Sequence, residues 1–187
     1  MVGDGMTGLA PGDRVAIEPA KPCMECEFCK SGHFNVCPGI PFFGTPPVDG
    51  CLRDFIAWPA RLCIKVPDEL SFDDAAMTEP LAIGIHAAEL AEPKPGDVVA
   101  ILGAGGIGLS VLQALRVTGV ERIIVSEPVE ARRLTAHRLG ATQVTMPAGA
   151  EEAVSGFTGG RGVDIVFECT GEDDAVRQSC ALARPLG

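Results

Sequence analysis

Residues 98–127 read VVAILGAGGIGLSVLQALRVTGVERIIVSE, and this stretch decides the fold. Five apolar residues, 98–102, run into Gly103-Ala104-Gly105-Gly106-Ile107-Gly108. Ile107, Val111, Leu112 and Leu115 then recur at helical spacing, and a second apolar run, Ile123-Ile124-Val125, is followed by an acid, Glu127. Strand, glycine turn, helix, strand and acid stand in the order that a dinucleotide-binding βαβ unit requires. In such a unit Gly103 allows the tight turn and Gly105 lets backbone amides reach a pyrophosphate. Gly106 and Ile107 belong to the cofactor-binding turn, and Gly108 lets the helix pack close to the strand. The helix N-terminus favours the phosphate charge, and Glu127 accepts hydrogen bonds from ribose hydroxyls. A buried helix that happens to carry glycines is the rival reading. The strand before the turn and the acid after it weigh against that.

Downstream the alternation continues. A helix is expected over residues 131–139, ended by Gly140, then a strand at 143–145 and a helix at 151–157. A strand at 162–168 and a helix at 173–183 follow. Strands alternating with helices predict an α/β fold with a parallel, doubly wound sheet of the Rossmann type. Four strands are expected where the two-halved dinucleotide fold has six, so the sheet is partial.

Upstream, residues 23–37 hold Cys23-x2-Cys26-x2-Cys29-x7-Cys37. The short spacings let thiolates converge on one ion, and the longer arm lets Cys37 close a tetrahedron. Four thiolates suit a zinc ion in a closed, structural site. An iron–sulfur cluster and unmetallated buried thiols are the alternatives. The ferredoxin run places three residues before its last cysteine, not seven. His33 inside the loop reads as solvent-facing. Apolar stretches at Phe55-Ile56-Ala57-Trp58 and Leu62-Cys63-Ile64-Lys65-Val66 predict a small antiparallel β region. Phe42 and Phe43 read as core by residue type. Ser71 with Asp73-Asp74 opens one helix, and Pro80, suited to a first helical position, opens a second. Glu79 would then be a carboxylate favoured by the helix dipole, and His86 a satisfied core histidine.

Composition excludes several classes of partner. The 187 residues are 47% hydrophobic and carry a formal net charge of −10, so a sizeable core can form. Nucleic acid and anionic membranes are disfavoured as partners. Residues 98–115 are uncharged, but their glycines fit the βαβ unit better than a membrane span. No basic and apolar leader opens the chain, which predicts a cytoplasmic protein. The clustering of four of the eight cysteines then reads as metal binding rather than a disulfide framework.

Four motifs together resemble the zinc-dependent medium-chain dehydrogenases/reductases of the alcohol dehydrogenase superfamily. They are Gly12-Asp13-Arg14-Val15, the lobe of Cys23, Cys26, Cys29 and Cys37, the turn Gly103 to Gly108, and Gly162-Val163-Asp164-Ile165-Val166-Phe167-Glu168-Cys169-Thr170-Gly171. Phe43-Gly44-Thr45-Pro46-Pro47-Val48-Asp49-Gly50 and Glu79-Pro80-Leu81-Ala82-Ile83-Gly84-Ile85-His86-Ala87 resemble the sorbitol (L-iditol) and xylitol dehydrogenases. The resemblance implies a partial GroES-like, β-rich catalytic domain with a structural-zinc lobe over residues 1–85. It implies a partial NAD-binding Rossmann domain over residues 86–187. It places Glu79 at the catalytic zinc, directly or through the zinc-bound water, and Phe42 in the polyol pocket. Glu127 takes the place of the adenosine-ribose acid, with Arg132 beside it, and an acid there favours NAD over NADP. The implied reaction is oxidation of a polyol to a ketose by a homo-oligomeric enzyme. The Gly-His-Glu that the family uses for further ligands occurs nowhere in the sequence. The catalytic zinc site is therefore expected to be incomplete, and the chain to be a fragment, inactive alone. A non-catalytic module that holds NAD and zinc, and a dehydrogenase of another alcohol, are the alternatives. An uncovered sheet edge predicts self-association.

Overall fold

The computed structural model of the protein describes residues 2–5 and 7–187. They fall into two units, Met1–Ala76 and Met77–Gly187.

The first unit has little regular structure. Strand β1 (Val15–Ile17) is followed by a single-turn helix, α1 (Glu27–Lys30), and by β2 (Cys63–Lys65). The two strands pair antiparallel, with Ala16 opposite Ile64. The run Phe55-Ile56-Ala57-Trp58 forms no strand, contrary to expectation. Trp58 stacks on Phe43 at 3.8 Å, and its indole N–H donates to the carbonyl of Glu18 at 3.0 Å. Those contacts position the segment without a ladder. Among the described residues of this unit, the buried apolar side chains are Pro22, Cys29, Cys37, Leu62 and Val66. A core this small does not by itself offset the entropy of ordering the chain. Two of its five members are thiols, which is where a metal crosslink would add most.

Helix α2 (Phe72–Ala91) runs on as one element of 20 residues. Ser71 and Asp74 form its capping box. The Ser71 hydroxyl accepts from the Asp74 amide at 3.0 Å, and the Asp74 carboxylate accepts from the Ser71 amide at 2.9 Å. Pro80 lies inside this helix rather than opening a second one. Proline forfeits one ladder bond, but packing further along offsets the loss. Gly84 and Ala88 are the buried residues of α2. A Cβ on Gly84 would stand 2.5 Å from the backbone carbon of Ser110. The expected domain boundary after residue 85 lies inside α2.

In the second unit β3 (Val98–Leu102) leads to α3 (Gly106–Val117), β4 (Arg122–Ser126), α4 (Glu130–Arg138) and β5 (Gln143–Thr145). Helix α5 (Ala150–Thr158), strand β6 (Ile165–Glu168) and helix α6 (Asp173–Leu182) complete it. The four strands form one sheet in the order β5-β4-β3-β6. All its pairings are parallel, with Leu102 opposite both Ser126 and Glu168. This is the partial doubly wound sheet expected from the sequence.

Every residue of β3 is buried, because both faces of the sheet are covered. Val99 and Ile101 pack with Val111 and Leu115 of α3 and Ala136 of α4. Val98, Ala100 and Leu102 face the other way, onto Ala150 and Val154 of α5 and Leu182 of α6. Each large aliphatic side chain so removed from water contributes about 1.5–3 kcal/mol. The uncharged stretch 98–115 is thus a strand, a turn and part of a helix. Among the described residues no helix is long and apolar enough to cross a membrane.

At the start of β6 the carboxylate of Asp164 accepts from the Val98 amide at 2.9 Å. It also accepts from Arg161 at 2.6 and 3.0 Å and from Arg184 at 2.7 Å. Beside it, Val163 forms a parallel bridge with Ala183, so the residues after α6 begin to pair outside β6.

Candidate functional site

The cysteine lobe is built around α1. Cys26 caps this single turn, its sulfur accepting from the Cys29 amide at 3.4 Å. The Cys23 sulfur accepts from the amides of Glu25 and Cys26 at 3.4 and 3.3 Å, and the Cys37 sulfur from the Cys23 amide at 3.4 Å. Met24, between the first two cysteines, adopts a left-handed backbone (φ 65°) that folds the chain back. The sulfurs of Cys23, Cys26, Cys29 and Cys37 all lie within 4.8 Å of one another, and those of Cys23 and Cys29 are 4.0 Å apart. A zinc–sulfur bond of about 2.3 Å in a tetrahedron requires sulfur–sulfur edges of about 3.8 Å. The set fits a zinc ion, and all eight cysteines are free thiols.

Electrostatics within the lobe is uneven. The Glu25 and Cys26 amides lower the Cys23 thiol to about 6, while burial, then its thiol neighbours, pushes Cys29 up to about 12. Four crowded thiols cannot all ionise without a cation among them. His33 is exposed beside Ser31, its Nδ1 3.2 Å from the hydroxyl, and takes no part in the sulfur cluster.

The second unit carries a cleft of about 680 Å³ at the C-terminal ends of the strands, lined by Gly103, Gly105, Glu127, Arg132, Cys169 and Thr170 among others. This is the crevice in which open parallel sheets bind ligands. Gly103 has φ 95°, and a Cβ there would lie 2.8 Å from the Thr170 methyl. A Cβ on Gly108 would collide with the Gly103 carbonyl oxygen. Both positions therefore need glycine. Above Gly105 and Gly106 there is open space. Gly105 caps α3 without a side-chain hydrogen bond, and Ile107 is partly exposed in the first turn. Uncapped amides, open space and a helix N-terminus together fit a pyrophosphate.

Glu127 is only 2% exposed. Its Oε2 accepts from the Ala104 amide and its Oε1 from the Val129 amide, both at 2.8 Å. Arg132 approaches Oε1 at 4.0 Å with a largely exposed side chain. Arg133 instead donates to the backbone carbonyls of Glu127 and Pro128. Glu127 thus holds the glycine turn as well as facing the cleft. Each carboxylate oxygen has a second lone pair left for a ribose hydroxyl.

Phe42, in the first unit, is exposed at 39%, not buried as its residue type suggested. Glu79 is exposed on α2. His86 is also exposed, 4.0 Å from Glu89, and is not a core histidine, because Gly84 and Ala88 form the buried face of that helix. Glu168 and Thr170 were given no individual role by the sequence reading. The structure sets Thr170 in the wall of the cleft and Glu168 in hydrogen bond with it, and an acid two residues before a hydroxyl at a strand end is the signal that marks such a turn.

Comparison with known proteins places the chain among dehydrogenases. Residues 1–68 match the alcohol dehydrogenase GroES-like domain, and residues 106–187 match the zinc-binding dehydrogenase family. The chain is 37% identical to a sorbitol dehydrogenase of Arabidopsis thaliana, an alignment that covers 98% of this chain and 52% of that protein. An oxidoreductase/dehydrogenase of unknown specificity from Escherichia coli superposes with a TM-score of 0.91 at 40% identity, covering 98% of this chain and 54% of the other. A putative zinc-binding dehydrogenase of Sinorhizobium meliloti, bound to NADP, superposes with a TM-score of 0.89 at 33% identity, covering 100% and 56%. The chain spans about half the length of these relatives.

Proposed function

The chain belongs to the zinc-dependent dehydrogenases of the alcohol dehydrogenase superfamily, and we propose that it carries the cofactor-binding and zinc-lobe portion of an NAD-linked polyol dehydrogenase. One observation carries this reading: a four-thiol cluster of zinc dimensions and a glycine-turn cleft occur in one chain. The polyol is of the sorbitol, xylitol or L-iditol kind, in line with the similarity to a sorbitol dehydrogenase. In this reading a secondary alcohol and NAD become a ketone, NADH and a proton. When bound, a catalytic zinc supplies Lewis acidity toward the alcohol, and the nicotinamide accepts the hydride.

The chain's own residues divide the work. Cys23, Cys26, Cys29 and Cys37 hold a structural zinc that ties the first unit together. The α3 N-terminus, with Gly103, Gly105, Gly106, Ile107 and Gly108, binds the pyrophosphate. Glu127 accepts from the adenosine ribose, Arg132 lies beside it, and the acid repels a 2′-phosphate, favouring NAD. Glu79 stands at the catalytic zinc and Phe42 against the polyol. Residues 1–85 act as part of the catalytic domain and residues 86–187 as part of the nucleotide domain. The protein works in the cytoplasm and assembles into a homo-oligomer.

Of the catalytic-zinc positions this chain supplies Glu79, so by itself it binds cofactor without turnover. Metal analysis of the purified chain should find one zinc and no iron, and titration should find NADH bound more tightly than NADPH. Sorbitol, xylitol and L-iditol should each give no NADH production. Turnover of any of them would refute the inactivity, and iron in place of zinc would remove the lobe assignment.

A further inference from the structure

Strand β6 ends on Glu168, which stands opposite Leu102, the residue before the glycine turn. The Glu168 carboxylate does not point away as a free surface charge. Its Oε1 accepts from the Thr170 amide at 2.7 Å, from the Thr170 hydroxyl at 2.5 Å and from the Gly171 amide at 3.1 Å. Its Oε2 also meets the Gly171 amide, at 3.2 Å. The Thr170 hydroxyl accepts in turn from the Glu172 amide at 3.0 Å, where α6 begins. One carboxylate thereby sets the whole path from strand to helix, including Gly171 at φ 74°.

That path faces the cofactor cleft. Thr170, Cys169 and Glu172 line it together with Gly103 and Gly105. The Thr170 methyl and the Cys169 carbonyl fill the space where a side chain of residue 103 would be. The glycine turn is therefore braced from behind by Thr170, and Thr170 is held by Glu168. Partial burial works against ionisation of Glu168, but the Thr170 hydroxyl and the Thr170 and Gly171 amides outweigh it and hold its carboxyl below the ordinary glutamate value.

We propose that Glu168 is a positioning residue for dinucleotide binding, which acts through Thr170 to fix the wall of the cleft and the back of the glycine turn. This inference rests on the nucleotide reading of the cleft. It goes beyond that reading by assigning a role to a residue that need not touch the ligand.

The test uses the full 187-residue chain and titration with NADH. In E168Q the amide keeps one acceptor oxygen but sets an N–H group against backbone donors. The dissociation constant for NADH should rise about tenfold, with zinc content unchanged and the melting temperature lowered too little to unfold the chain during titration. In T170V the methyl brace remains and only the hydroxyl is lost, so affinity should fall less than in E168Q. A purely structural role would lower the melting temperature and leave the affinity of the folded fraction unchanged. If E168Q does not fold, T170A carries the test and should weaken NADH by several-fold. Unchanged affinity in a folded E168Q, or in T170A where that variant carries the test, overturns the inference while the nucleotide reading stands. A wild-type chain that binds no NADH overturns both.

Discussion

Asp164 shows how a single residue can decide the acid response of the molecule. Arg161 is the largest cause of its lowered pKa. Burial opposes ionisation, and the Val98 amide and Arg184 reinforce Arg161. The folded carboxyl therefore titrates well below its unfolded value of about 3.9. Its contribution to stability is complete above that value and is lost as pH falls below it. Urea unfolding should show stability dropping between about pH 4 and pH 2. D164N should lower stability at neutral pH by roughly 1–3 kcal/mol, because the Arg161, Arg184 and Val98 donors lose a charged acceptor. It should also flatten the acid dependence. An unchanged acid slope in D164N would assign the effect to other carboxylates. Glu127 marks where residue-level reading stopped. Its place after β4 and its acidity were legible from spacing. Its second occupation, holding the Ala104 and Val129 amides, was not, because a side chain's choice of backbone partner depends on the loop conformations around it.

At the scale of elements, legibility followed burial. Strand β3 and helix α3 could be read directly, since a fully covered strand is an unbroken apolar run and an amphipathic helix has its own period. The cysteine lobe was legible for a different reason: thiol spacing encodes a ligand set with no need for secondary structure. Helix α2 was misread at Pro80, where a local preference for the first helical position gave way to packing farther along. The decisive contact is Gly84 against the backbone of Ser110, and no sequence period reports a missing side chain. G84A should therefore destabilise the second unit by about 1–3 kcal/mol, as overpacking does. A thermal melt of G84A matching wild type would show that α2 can shift outward at little cost. Residues 55–58 failed in the opposite sense, since their apolar character serves ring stacking by Trp58 rather than a ladder.

For the whole molecule, the alternation of elements predicted the parallel sheet, while the order of its strands and the exposure of side chains were less legible. Met77, Ile83, Ile85 and Leu90 of α2 are all exposed apolar side chains. Residue type alone would have placed them inside. Exposed apolar side chains favour association, and the edge strands β5 and β6 can add to it. Light scattering coupled to gel filtration should find a mass above the 19.4 kDa of one chain, rising with concentration. A strictly monomeric profile at high concentration would count against self-association.

The contact between Gly103 and Thr170 joins positions that are far apart in the chain into one hereditary unit. A side chain can enter at residue 103 only if residue 170 gives up its methyl group and the backbone at residue 103 relaxes. The methyl must be lost first, so Thr170 restrains drift at residue 103. In descendants of this sequence residue 103 should leave glycine only where residue 170 has already lost its methyl group, and Glu168 should follow whichever residue replaces the threonine.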